Sequence, residues 1–339
     1  MLNYNNMKKN KPLLGTLIFV LLFSLLSVVI LGNQKQQLKS VVAKGVIYIY
    51  KNQLPTGEIQ SSFCINTKIL KSCLPDESFF MTASSLYSLD KISERYTNDY
   101  LDLVREKSID FFIKNRPTNN IWRFFPKDSV TPDIDDTALI SYLLEKHGYG
   151  ISDNHKIINK NVNDSGIYYT WFKENGARND TDSVVNVNVA LYLNNNITSS
   201  KICDYTSRLI KEGQESNSHY WYIDDYDLYY AMARAYNEGV DCFGNEKELI
   251  IQKIVGSQKK TGIIGDNEFT TALALNALID FGYQNKDFYN KSFDYLFRTQ
   301  QNDGGWSLGD FYKGDTLKGG SRSYTTAVAL EAITSYYYK

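Results

Sequence analysis

The sequence predicts an all-α fold: a single (α/α)6 toroid of six helical hairpins behind one N-terminal transmembrane helix. Three observations carry that expectation. A degenerate twelve-residue frame recurs along the chain, and each copy closes an amphipathic helix. Each copy is followed by a second helix that is apolar around most of its surface, as expected of an element packed inside a ring of partners. Ahead of all of them stands a long uncharged run.

That run comes first. Leu13 to Gly32, "LLGTLIFVLLFSLLSVVILG", is twenty residues without a charge, about the length that crosses the roughly 30 Å hydrocarbon core of a bilayer. Lys8, Lys9 and Lys11 precede it, and it ends without a small-x-small cleavage site. Residues 1–12 therefore read as a basic N-terminal segment and 13–32 as an uncleaved signal anchor. The basic flank favours an inside N-terminus and an extracytoplasmic globular part, although Lys35, Lys39 and Lys44 follow on the other side.

Residues 36–339 carry the repeats, with no linker between them. The clearest copy is "YLFRTQQNDGGW", Tyr295 to Trp306: aromatic, aliphatic, three residues, Gln, three residues, Gly, one residue, Trp. Eroded copies begin at Tyr48, Phe112, Ile157, Leu209 and Lys253, with Gln53, Pro117, Val162, Gln214 and Gln258 at the position of Gln300. Between them lie the apolar helices "FMTASSLYSLDKI", "DIDDTALISYLLEKHG", "DSVVNVNVALYLN", "DDYDLYYAMARAYNEG", "NEFTTALALNALIDFG" and "SYTTAVALEAITSYYY". Alternating outer and inner helices close into a toroid, an open solenoid being the other solution.

Composition limits the function. With 339 residues, 43% hydrophobic, the chain is ample for one sizeable core, and a net charge of -1 gives no electrostatic case for nucleic acid. No metal site or cofactor is expected: there is no CxxC and only three histidines occur, His147, His155 and His219. The four cysteines are compatible with export. Cys64 and Cys73 fall in one irregular stretch, their pairing open. Cys203, near the start of an outer helix, and Cys242, just past its inner partner, come to the same end of an antiparallel hairpin. A disulfide there is feasible if the Cα atoms approach within about 7 Å.

The "YLFRTQQNDGGW" frame resembles the QW repeat of the squalene–hopene and oxidosqualene cyclases, with Ser292 where that motif has Gly or Ala. "DIDDTALISYLLEKHGYGIS" resembles the D-x-D-D-T-A segment of class II terpene cyclases, and plant diterpene cyclases continue similarly, as here in Leu143, Leu144, His147, Gly148 and Tyr149. The repeat resemblance spans nearly all of residues 36–339. It implies protonation-initiated cyclisation of an isoprenoid, squalene-like or prenyl, with Asp135 as the acid and Asp133 and Asp136 as its hydrogen-bonding neighbours. Clustered carboxyls raise at least one pKa, which keeps a proton available, and aromatic faces stabilise the cation that follows. The family's cavity lies between two toroid-like domains, whereas this chain has room for one; a homodimer, or a second toroid subunit, would complete such a cavity.

The frame's aromatics fall at the rim where the inner helices begin. Trp122, Tyr168, Trp171, Trp221 and Trp306 are candidates to line a pocket beside Asp135, together with Phe124, Phe125 and Tyr220, and Trp122 and Trp171 lead them. Against this stands a plain structural reading, since an Asp makes a good helix N-cap and rim tryptophans stack on structure. Aligning the Thr-Ala steps sharpens the question: Asp135-Asp136-Thr137-Ala138 matches Phe269-Thr270-Thr271-Ala272 and Tyr324-Thr325-Thr326-Ala327, so capping alone does not demand the acids. Asp224 and Asp225 form a second acidic group on the same rim. Two acid clusters across an aromatic funnel also suit an extracytoplasmic, membrane-anchored carbohydrate-active (α/α)6 enzyme. A non-catalytic toroid binding a lipid, glycan or peptide is the third reading.

Overall fold

The computed structural model describes residues 36–66, 71–126, 130–151, 154–173, 179–194, 196–313 and 317–338. The chain divides into Met1–Ala43, of which residues 36–43 are described and helical, and the compact unit Lys44–Lys339. In the compact unit the elements are α1 (44–52), β1 (Ser61–Asn66), β2 (Lys71–Asp76), α2 (Phe79–Ser93), α3 (Asp99–Lys114), α4 (Ile134–Lys146), α5 (His155–Ile158), α6 (Ser183–Leu193) and α7 (Asn196–Glu212). They continue with α8 (Asp225–Asn237), α9 (Lys247–Gly256), α10 (Glu268–Asp280), α11 (Lys286–Thr299), β3 (Asp310–Lys313), β4 (Leu317–Gly320) and α12 (Arg322–Tyr337).

The even-numbered helices form a closed ring: α2, α4, α6, α8, α10 and α12 pack each on the next, and α12 returns to α2. Helices α3, α7 and α11 lie outside it, against α2, α6 and α10. Sequence sorts the two layers. Phe269 to Leu278 of α10 are all buried, whereas α11 buries one stripe, Phe288, Tyr289, Ser292, Phe293 and Leu296. At Gly45 the absent side chain lets α1 press on α12, where a Cβ would stand 2.9 Å from Leu330.

Each inner helix starts at a capping residue whose side chain accepts from the first turn: Ser78, Asp133, Asp182, Asp224, Asn267 and Ser321. A second device sits one turn in. Thr82, Thr137 and Thr271 accept from the backbone N–H of Ile59, Trp122 and Ile264, and Asn186 does the same for Tyr168. Thr326 serves Trp306. The Thr of each Thr-Ala step thus ties the end of an outer-helix loop to the inner helix that follows. The loop amides act similarly: Gln53 donates to Gly57 O and Gln300 to Gly304 O, both at 2.8 Å, and Gln258 donates to Ser292 Oγ.

Two features depart from expectation. The all-α reading omits a four-stranded antiparallel sheet in the order β2-β1-β4-β3, which joins a hairpin before α2 to one before α12. Its central pairing, Ser62 with Gly320, spans nearly the whole domain in sequence, so no local pattern announces it. Gly320 is required there, since a Cβ would fall 2.0 Å from the Gly309 carbonyl oxygen. The second departure concerns the membrane. The expected anchor, residues 13–32, lies outside the described residues. Among the described residues no helix is long and apolar enough to cross a membrane. The longest named helix, α7, has 17 residues, about 25 Å at 1.5 Å per residue, short of a bilayer core. The membrane-anchored, extracytoplasmic placement is corrected accordingly, as no spanning helix among the described residues supports it.

Two disulfides are present. Cys64–Cys73 crosses β1 and β2, and Cys203–Cys242 joins α7 to the 3-10 turn after α8 with its Cα atoms 5.9 Å apart. Closing a loop of that length restricts the unfolded chain. Replacing both Cys203 and Cys242 by Ser is therefore expected to lower unfolding stability by about 3–4 kcal/mol. Denaturant unfolding of the double variant checks this, and a change below about 1 kcal/mol would contradict it.

Candidate active site

The N-terminus of α4 builds the centre of the site. Asp133 accepts the Asp136 N–H on Oδ1 at 2.8 Å, while its own N–H donates to Trp122 O. Asp133 is thus the cap, and a cap needs neither Asp135 nor Asp136. Asp135, 8% exposed, is held on both oxygens: Tyr222 OH donates to Oδ2 at 2.5 Å and Asn188 Nδ2 to Oδ1 at 2.7 Å. Asn188 Oδ1 in turn accepts from Arg234. Asp133 Oδ2 and Asp136 Oδ1 are buried without a hydrogen-bond partner.

Burial governs the protonation of all three. It pushes Asp135 up to about 6, against the opposing hydrogen bonds from Tyr222 and Asn188 and the charge of Arg234. Burial, and then the charge of Asp135, push Asp133 up to about 7. Asp136 is driven well above the usual carboxylate range by burial and by the charges of Asp133 and Asp135. Three carboxyls this close cannot all ionise, so the group retains at least one proton near neutrality.

Beside the acids opens a cavity of about 420 Å³. Its wall is mainly aromatic: Phe80, Phe124, Phe125, Trp171, Trp221 and Tyr312 join Tyr222 there. Trp171 and Trp221 meet edge to face at 5.1 Å, and both indole N–H groups donate to Asp180, at 3.1 and 2.7 Å. The sheet closes another side through Phe63, Asp76, Tyr312 and Lys313. The cavity lies within this one toroid, not between two. Among the described residues no cluster of three or more His, Cys, Asp or Glu side chains could hold a metal ion.

The other sequence candidates sort cleanly. Trp122 and Trp306 are fully buried and Tyr168 nearly so, and none of them lines the cavity. Trp122 packs edge-on against Phe79 and Phe112, Trp306 donates its indole N–H to Leu296 O, and Tyr168 OH donates to Asn159. Their backbone ties to Thr137, Thr326 and Asn186 turn these side chains into the packed layer. Asp224 caps α8 in a capping box with Asp227, and Asp225 accepts from His219 Nε2 at 2.9 Å; neither lines the cavity. The second acidic group therefore does not face Asp135 across the funnel. Sequence reading missed Asn188, Tyr222, Arg234 and Asp180. The available signal was "VVNVNVA", where an asparagine on a helix buried all round must find a polar partner.

No family model and no curated protein matches the sequence. Solved structures do match. The type II terpene cyclase MstE from Scytonema, in its apo form, aligns with a TM-score of 0.68 at 14% identity, over 88% of this chain and 98% of that one. The same cyclase has been solved in complex with geranylgeranyl dihydroxybenzoate, its substrate. The ent-copalyl diphosphate synthase from Streptomyces platensis aligns at 0.53 and 16% identity, over 76% of this chain and 50% of that one. An unsaturated glucuronyl hydrolase specific for heparin aligns at 0.57 and 12% identity, over 89% and 97%. The fold is thus a terpene cyclase-like α-toroid, and at these identities the likeness reaches no further than the fold.

Proposed function

We propose that the cavity is the site of a protonation-initiated cyclisation of a prenyl chain, with Asp135 as general acid and Asp133 and Asp136 as its neighbours. One observation carries the reading: a buried carboxyl, fixed on both oxygens, opens onto a cavity walled by aromatic rings. The Asp135 O–H bond breaks as its proton passes to an alkene carbon. The cation formed on the adjacent carbon is attacked by the next double bond, and the aromatic faces of Trp171, Trp221 and Phe80 stabilise it while water is excluded. Loss of a proton from the ring system ends the reaction, so product and substrate are isomers. The volume suits a ligand of drug-like size buried on most sides.

The single-chain toroid MstE supports this reading, since it is named a type II terpene cyclase and needs no second domain of the same kind to be matched along 98% of its length. The carbohydrate reading has no such support in the site, because Asp224 and Asp225 are engaged elsewhere. The test is incubation of the purified full chain with geranylgeranyl dihydroxybenzoate, geranylgeranyl diphosphate and squalene, followed by chromatography and mass spectrometry. A product of unchanged mass and altered retention is expected from at least one. Failure with every polyene by a folded protein would remove the cyclase reading and leave a binding toroid.

A further inference from the structure

Arg234 of α8 is 4% exposed, at the centre of the ring of inner helices. Burying a guanidinium is costly unless a charge or a full set of acceptors compensates it. Here compensation is incomplete. Among the described residues no carboxylate forms an ion pair with Arg234, and its Nε has no partner. It lies over the rings of Tyr87, 4.8 Å from the guanidinium carbon, and Tyr230, at 5.3 Å. The hydrogen bond it does make is to Asn188 Oδ1, and Asn188 Nδ2 donates to Asp135 Oδ1.

The chemistry of the three groups fixes the direction of this chain. Arginine has donors only, so the Asn188 oxygen must face it and the Asn188 N–H group must face Asp135. The Asn188 NH2 group can only donate, so it leaves the acid proton to Oδ2, where the Tyr222 hydroxyl can accept from the protonated acid and donate to the ionised one. We propose that Arg234 is a positioning residue for the Asp135 acid: through Asn188 it holds Oδ1 against a donor and so keeps the carboxyl proton on Oδ2, and it supplies the counter-charge once that proton has left. The inference rests on the reading of Asp135 as proton donor.

Lys313 lines the cavity from β3, but the cation whose charge lowers Asp135 is Arg234. Asp133 and Asp136 on its own helix and Asp182 at the start of α6 are acids, and Tyr222 is a neutral donor. From α2, Tyr87 contributes a neutral ring and hydroxyl, while Asp90 and Lys91 pair with Arg105 and Glu238. On α12, Glu331 is engaged by Tyr230 OH at 2.8 Å. A purely structural Arg234, clamping three inner helices, would affect stability and leave the acidity of Asp135 unmoved.

The experiment reads that acidity directly. In the full chain carrying 13C-labelled aspartate carboxyls, the Asp135 signal is identified by its loss in Asp135→Asn and titrated in wild type, Arg234→Gln and Arg234→Lys. Arg234→Gln is expected to make Asp135 at least tenfold weaker as an acid, moving its midpoint up by a unit or more. Arg234→Lys, which restores a donor and a charge, is expected to recover at least half of that displacement. An unmoved midpoint in folded Arg234→Gln overturns the proposal. Should Arg234→Gln not fold, Asn188→Leu breaks the same chain with the same branching, with the same upward movement expected and the same unmoved midpoint overturning it. A displaced midpoint in a protein that cyclises no polyene would keep the relay and remove the cyclase reading. Cyclisation with an unmoved midpoint would do the reverse.

Discussion

Asp135→Asn is expected to lower the rate of cyclisation by about 10²–10⁴-fold, the range that a positioned general acid supplies, while the protein remains folded. The substitution keeps the shape of the side chain, and the cap of α4 is provided by Asp133, so the helix start survives. Asp133→Ala is the contrasting variant: it removes the bond to the Asp136 N–H and is expected to cost about 1 kcal/mol of stability. The pH dependence has a definite sign. On the proposed reading the working form of Asp135 is protonated, and its pKa is pushed up to about 6 by burial. Activity should be retained on the acid side and fall as pH rises through about 6. Stability follows the same direction, since a carboxyl whose folded pKa is raised stabilises the fold below the unfolded value near 4 and loses that contribution as pH rises through the folded value. Asp135→Asn should therefore flatten part of the loss of stability between pH 4 and 7. Equal rates for wild type and variant would sink the acid assignment.

The two layers of helices were legible because they follow from side-chain composition alone. A helix such as "TTALALNALI" has no polar face to give to water, and "KDFYNKSFDYLFRT" has one. The motif around Asp135 was legible for the same local reason, as three acids at one helix start exceed what a cap uses. What could not be read was whatever is assembled from distant segments. Strands β1 and β4 pair across most of the domain, and the sheet they form brings Phe63, Tyr312 and Lys313 to the cavity. Asn188, Tyr222 and Arg234 come from three separate segments, and each is unremarkable in its own stretch. The aromatics show the limit most sharply. Trp122 and Phe125 are three residues apart, yet the first is packed between helices and the second faces the cavity. Tyr168 and Trp171 divide in the same way. Trp122 and Tyr168, which close the second and third frames, have their backbone N–H tied to the inner helix and their side chains turned into the packed layer, and the cavity takes the residues two or three positions later.

That division makes Trp306 and Trp171 a matched pair with opposite expected consequences. Trp306 is fully buried, donates its indole N–H to Leu296 O at 2.8 Å and receives the Thr326 tie through its backbone. Trp306→Ala leaves a large void between α11 and α12 that rigid neighbours on both sides cannot fill, and it removes the indole N–H from the Leu296 carbonyl, which keeps the Gln300 N–H. The expected cost is about 3–5 kcal/mol, among the largest for any single substitution in the domain. Trp171 stands on a cavity that is already open, so Trp171→Ala enlarges a space instead of creating one, and Asp180 keeps the Trp221 indole as partner. Its stability loss should stay below about 1.5 kcal/mol, with the change appearing instead in ligand affinity or product pattern, because half of a paired aromatic wall is gone. Urea unfolding of the two variants side by side decides the matter. If Trp171→Ala proved the more destabilising of the two, the distinction between a structural rim and a functional cavity wall would be wrong, and with it the argument that places the aromatic lining in the residues after the frame.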